Sequence, residues 1–199
     1  MAALKIALLN LWTRPRSTMD ELINMNGKPY LWLVVLSGIG LRLDQASNGN
    51  LGDRTATDYI IVTSFIIGPI IGLIAWLLYS GLSHLLIRAF GGYGDWAETR
   101  RVFAWSTVPL VAKLFLWVPL LTIYGDYMFS SATPSGLGYV SFFLLIGLLE
   151  FILIGWFFVI LSQGLSEVHS ISAWKSFWSV ILLPFTLFIL VFLFALITL

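Results

Sequence analysis

GGYGDWAETRRVFAWSTVPLV, residues Gly91–Val111, holds the densest mixture of charge and aromatic side chains in the chain and runs directly into an apolar stretch. Gly91, Gly92 and Gly94 permit backbone angles that other residues avoid, so the chain can reverse here. Asp95 suits a helix N-cap, and Glu98 three positions on completes a capping box. Both acids fall in the first helical turn, where the helix dipole favours negative charge. Trp96, Phe103 and Trp105 suit a membrane–water interface, with Arg100 and Arg101 on the aqueous side. Pro109 lies in the apolar run that follows and removes a backbone donor, which predicts a kink. The stretch therefore reads as a surface helix bending into a membrane span. GGYG does not match the phosphate-cradling pattern GxxxxGK[ST], and no buried strand precedes it.

Composition supports this reading. Of 199 residues, 59% are hydrophobic and 11% charged, with mean hydropathy +0.93. Soluble domains carry roughly 25% charged residues, so there are too few charges here to solvate a globular surface. The net charge of +1 offers no basis for nucleic-acid binding. The absence of cysteine excludes disulfides, thiolate metal sites and a cysteine nucleophile.

Five spans are expected in an all-α polytopic bundle with short interfacial helices. Residues 1–28 form an amphipathic amino-terminal segment on the cytoplasmic face, and residues 29–199 the membrane domain. The spans are placed at Pro29–Ala46, Tyr59–Arg88, Phe103–Tyr124, Tyr139–Leu161 and Trp178–Leu199. The first is the weakest, because Arg42 interrupts it well short of the ~20 apolar residues a crossing needs. Thr18 and Glu21 form a second capping-box pattern, expected to start a brief helix. Pro69 and Pro119 predict further kinks, and Gly68-x-x-x-Gly72 allows close helix approach. With the amino terminus inside and the carboxyl terminus outside, eight of the 11 basic residues fall on the cytoplasmic side. That agrees with the positive-inside rule.

Three pieces together resemble the Ypt-interacting protein (YIP) domain family. The first is GGYGDWAETRRVFAWSTVP, with its glycine pair, aromatic residue, short helix and small-residue stretch ending in proline. The second is LSQGLSEVHSISAWKSF, Leu161–Phe177, similar to the loop before the family's last span. The third is WTRPRSTMDELI, Trp12–Ile23, similar to the amino-terminal segment of bacterial members. Their order and spacing cover nearly the whole chain. The resemblance implies a non-catalytic scaffold or adaptor in membrane organisation or trafficking, or an accessory to a larger membrane complex. The short segment before the first span points to a bacterial-type member in the cytoplasmic (inner) membrane. The expected surroundings are the lipid bilayer and a membrane-protein partner or second copy of the chain, without nucleic acid or cofactor.

No nucleophile–base pair stands out, so no enzyme is expected. His84 and His169 read as surface or loop-packing residues, and no third ligand is spaced to make a metal site. The expected partner surface combines Gly91, Gly92, Asp95, Glu98, Arg100 and Arg101 with Glu167 and His169 from the second loop, Ser162–Lys175. Lys113 and Glu150 lie inside spans at matching depths. Charges at such depth are functional candidates, and the two are expected to pair. They also open an alternative, a small ion- or proton-coupled transporter working through that pair.

Overall fold

Long apolar runs become long helices, and the Gly-, Pro- and Asp-containing segments between them become the turns. The computed structural model describes residues 2–24, 30–132 and 134–182, with side chains from Ile6 onward. Among the described residues every regular element is helical: α1 (Ala2–Asn10), α2 (Pro15–Ile23), α3 (Leu31–Asn48), α4 (Thr57–Ala89), α5 (Trp96–Ser106), α6 (Val108–Tyr124), α7 (Leu137–His169) and α8 (Ala173–Ile181). Short 3-10 turns occupy Leu51–Asp53 and Gly125–Phe129.

Among the described residues, three helical stretches are long and apolar enough to cross a membrane: Thr57–Ala89, Trp96–Phe129 and Leu137–His169. At 1.5 Å per residue the 33 residues of α4 or α7 extend about 50 Å, well beyond a hydrocarbon core of about 30 Å. Each therefore has turns to spare outside the core. α3, the expected first span, is helical but is not among the three. The expected fifth span lies outside the described residues beyond Leu182.

The polarity of the chain is reversed relative to a water-soluble domain. Ile66, Phe115, Leu144 and Phe151 are exposed, whereas Ser64, Ser80, Ser83, Thr99, Ser176 and Ser179 are buried. Apolar side chains facing outward over hydroxyls facing inward is the arrangement that a lipid solvent stabilises.

The chain divides into two compact units, each built from segments distant in sequence. One comprises the described residues of 26–76 and 104–157. Ile39, Leu43 and Ala46 of α3 form its core with Ile60 of α4, Trp117 of α6 and Phe129. Trp117 and Phe129 stack at 5.5 Å. Gly68 and Gly72 meet α3 backbone to backbone. A Cβ at Gly68 would lie 2.7 Å from Ile39 Cα, and one at Gly72 2.5 Å from the Val34 carbonyl oxygen. Gly68-x-x-x-Gly72 is thus spent on seating α3. Ser47 donates to the Met128 carbonyl at 2.6 Å, and the Ser131 amide donates to Asp53 at 2.9 Å. That amide bond holds the exposed Asp53 carboxyl below its ordinary range.

The other unit comprises the described residues of 1–25, 77–103 and 158–199. Leu11, Met19 and Leu22 are fully buried in it with Ile87, Val102, Leu161 and Leu165. A Cβ at Gly164 would lie 2.8 Å from Val102 Cγ1 and 3.0 Å from the Met19 side chain.

Several local expectations need correction. The helix containing Thr18 starts at Pro15, which takes the first-turn position where its missing N–H costs nothing. Thr18 is buried in that helix and caps nothing. Pro109 falls in the first turn of α6, after a one-residue break at Thr107 within the Trp96–Phe129 stretch. Pro69 and Pro119 do lie inside helices, α4 and α6. Ser162–His169, read as loop, continues α7. Leu161, Ser162, Leu165, Ser166 and His169 recur at helical spacing and are all buried. The helix places its polar residues inward, where a hydropathy reading looks for a loop.

Candidate functional site

The two stretches that carried the expected surface, Gly91–Arg101 and Ser162–Lys175, come together, and both turns end their helices in the same way. After α4, the Gly92 amide donates to the Ile87 carbonyl and the Gly91 amide to the Arg88 carbonyl, both at 3.0 Å. This pair of bonds is a Schellman motif, and Gly91 supplies its left-handed residue at φ +87°. After α7, the Ile171 amide donates to Ser166 at 3.2 Å and the Ser170 amide to Glu167 at 3.4 Å. Here the left-handed residue is Ser170, at φ +52°. Ser172 then caps α8 by accepting from the Lys175 amide at 3.3 Å.

His169 joins the two turns. Its carbonyl accepts from the Tyr93 amide at 3.3 Å, and its Nδ1 accepts from the Gly94 amide at 3.2 Å. Nδ1 therefore carries no proton, and a neutral ring places its hydrogen on Nε2. Nε2 lies 2.9 Å from Thr99 Oγ1, and the Thr99 hydroxyl donates to the Asp95 carbonyl at 2.9 Å. The remaining Thr99 lone pair faces His84 Nδ1 at 3.1 Å, which satisfies the set when His84 holds its proton there. The loop sits too close for any residue but glycine. A Cβ at Gly92 would meet Ile87 Cγ2 at 2.6 Å, and one at Gly94 would meet Val168 Cγ1 at 2.5 Å.

This geometry redistributes the expected partner residues. His169 is 0% exposed and Gly92 is buried, so neither residue forms part of an outer surface. They support the loop from beneath because the polar ring has hydrogen-bond partners only there. Arg101 donates to the Ile23 carbonyl at 2.8 Å, closing the end of α2. Glu167 pairs with Arg16 at 2.5 Å. Glu98 accepts from the Asp95 amide at 3.2 Å, one half of the capping box. Arg100 lies over the Trp96 ring at 4.2 Å. The outward-facing part of the loop is Gly91, Tyr93, Asp95 and Trp96, with Tyr93 84% exposed. Tyr93 and Thr99 were missed by sequence reasoning, since an aromatic between glycines and a mid-helix threonine have no distinctive pattern.

The first unit holds a second polar centre. Lys113 Nζ lies 2.6 Å from Asp44 Oδ2 and 3.8 Å from Glu150 Oε2. Asp44 Oδ1 also accepts from Trp117 Nε1 at 3.3 Å, one helical turn beyond Lys113 on α6. Three helices, α3, α6 and α7, thus contribute one cation and two carboxylates. Asp44 is the nearer partner of Lys113, a residue not singled out from the sequence. No group of three or more potential metal ligands converges among the described residues.

A family model described as the Yip1 domain matches residues 9–196, nearly the whole chain. No curated protein matches the chain, and no solved structure matches it.

Proposed function

The chain belongs to the Yip1 domain family, and from that premise we propose that it is a non-catalytic membrane scaffold or adaptor whose Gly91–Trp96 loop is its partner-binding element. Its role is membrane organisation or trafficking, or support of a larger membrane complex. The partner is another membrane protein or a second copy of the chain. We place it in a bacterial cytoplasmic membrane, with five spans, the amino terminus inside and the carboxyl terminus outside.

The observation that carries the reading is the construction of the loop. A buried histidine, two glycines with no room for a Cβ and a buried threonine hold it in one conformation. That conformation presents Tyr93, Asp95 and Trp96 outward. A fixed loop bearing exposed aromatics loses little entropy on binding, which suits recognition of another protein. The carrier alternative is not favoured. Lys113 is already held at 2.6 Å by Asp44, with Glu150 close by, which describes a tie between three helices.

Site-specific photocrosslinking in native membranes tests the reading. A photoreactive residue at Tyr93 should give discrete protein adducts, including a self-adduct if the partner is a second copy. The same group at Phe115, also exposed, should give lipid adducts. An absence of protein adducts from Tyr93 would remove the adaptor proposal.

A further inference from the structure

A groove of about 680 Å³ runs beside the start of α2, and Arg14, Arg16, Ser17, Asp20, Gln163 and Glu167 line it. We propose that it binds the phosphoethanolamine headgroup of a phospholipid. The volume falls in the range of small-ligand sites. Its lining carries two guanidinium groups and two carboxylates, so its formal charge is zero with both signs present. An anion alone would face Asp20 and Glu167, and a cation alone would face Arg14 and Arg16. A zwitterion satisfies both.

The roles follow from what each side chain already does. Arg16 is engaged with Glu167 at 2.5 Å. Arg14 is exposed and has no side-chain partner among the described residues. It is therefore the group available to a phosphate, with the Ser17 hydroxyl beside it. The ammonium falls to Asp20, whose Oδ1 also accepts from Asn24 Nδ2 at 3.3 Å, and to the second oxygen of Glu167, whose Oε2 holds Arg16. A primary ammonium donates hydrogen bonds to such carboxylates. The quaternary ammonium of choline has no N–H and is recognised by aromatic faces, and no aromatic ring lines this groove.

A diacyl lipid, and not the free headgroup, is selected by the neighbouring helix. α1 packs against α2. On α1, Ile6 and Leu9 are 59% and 63% exposed, giving acyl chains an apolar surface next to the charged groove.

Native mass spectrometry of the full chain, released from detergent with equimolar phosphatidylethanolamine and phosphatidylcholine of identical acyl chains, tests this. Retained ethanolamine lipid should exceed choline lipid by about fivefold, the scale of one exposed charge contact. The double change Arg14→Ala with Asp20→Asn should bring the ratio towards one while leaving the unfolding temperature unchanged. The charge-swapped pair Arg14→Glu with Asp20→Arg, which keeps the formal charge, should also lose the preference. Excess glycerophosphoethanolamine, which lacks acyl chains, should displace little lipid. Equal retention of the two lipids by the unchanged protein overturns the proposal. So does a preference that survives both variants. Complete displacement by glycerophosphoethanolamine overturns the lipid and leaves a site for the soluble headgroup.

Discussion

Two polar centres sit in this apolar chain, and they are built on opposite principles. The Lys113–Asp44–Glu150 centre uses full charges on three helices, reached by long side chains. The His169–Thr99–Gly94 centre uses neutral groups, short reach and the backbone itself. A charge centre tolerates imprecise geometry because Coulomb attraction falls off slowly, as the 3.8 Å separation of Lys113 and Glu150 shows. A neutral hydrogen-bond centre does not, because its bonds weaken steeply with distance and angle. The first ties helices together. The second fixes the shape of a loop.

The largest expected effect tests the charge centre. Lys113→Met alone leaves two carboxylates without their cation and should destabilise by roughly 3–5 kcal/mol. The triple change Lys113→Met, Asp44→Asn and Glu150→Gln should recover part of that loss. Thermal unfolding in detergent reads both. An unchanged unfolding temperature for Lys113→Met would erase the distinction between the centres, since the charges would then hold nothing.

The neutral centre should respond less in energy and more in shape. His169→Leu strands the Gly94 amide and one bond of Thr99, a cost of about 2–3 kcal/mol. Hydrogen exchange at the Gly94 amide should accelerate, whereas exchange in α3 and α6 should change little. Unaltered protection at Gly94 would show that the loop is held by packing alone.

The smallest effect sharpens the comparison within the loop region. Two helix terminators share one hydrogen-bond pattern, but one uses Gly91 at its left-handed position and the other Ser170. A left-handed non-glycine residue is strained by roughly 1–2 kcal/mol. Ser170→Gly should therefore raise stability, by about 1 kcal/mol after the added freedom of the unfolded chain is subtracted. A loss of stability on this change would mean that the Ser170 side chain is needed there.

Much of this was legible from residues alone, for identifiable reasons. The turn at Gly91 and the acid at position 98 are local features, and local physics sets them. Family membership was legible because three motifs keep their order along the chain. Lys113 and Glu150 stood out because charge is rare in apolar runs. Asp44 did not, because it lies two residues past Arg42 near the end of the weak first span, where a charge can reach the membrane surface. Contact between Asp44 and Lys113 joins residues 69 apart, which no periodicity encodes. His169 packs the loop, one of its two expected readings, and its place on the partner surface was misjudged for the reverse reason. Sequence reading assigns polar residues to water, but α7 turns Ser162, Ser166 and His169 inward.

The spacing of the charge centre also has a meaning in time. Ribosomal synthesis delivers Asp44 69 residues before Lys113. At roughly 5–20 residues per second, the carboxylate waits on the order of 3–14 s for its counter-ion. During that interval α3 can already meet Gly68 and Gly72 of α4, but the Asp44 carboxylate lacks the Lys113 ammonium. The charge tie is therefore a late event in biogenesis, timed by the arrival of α6 and not by the emergence of α3.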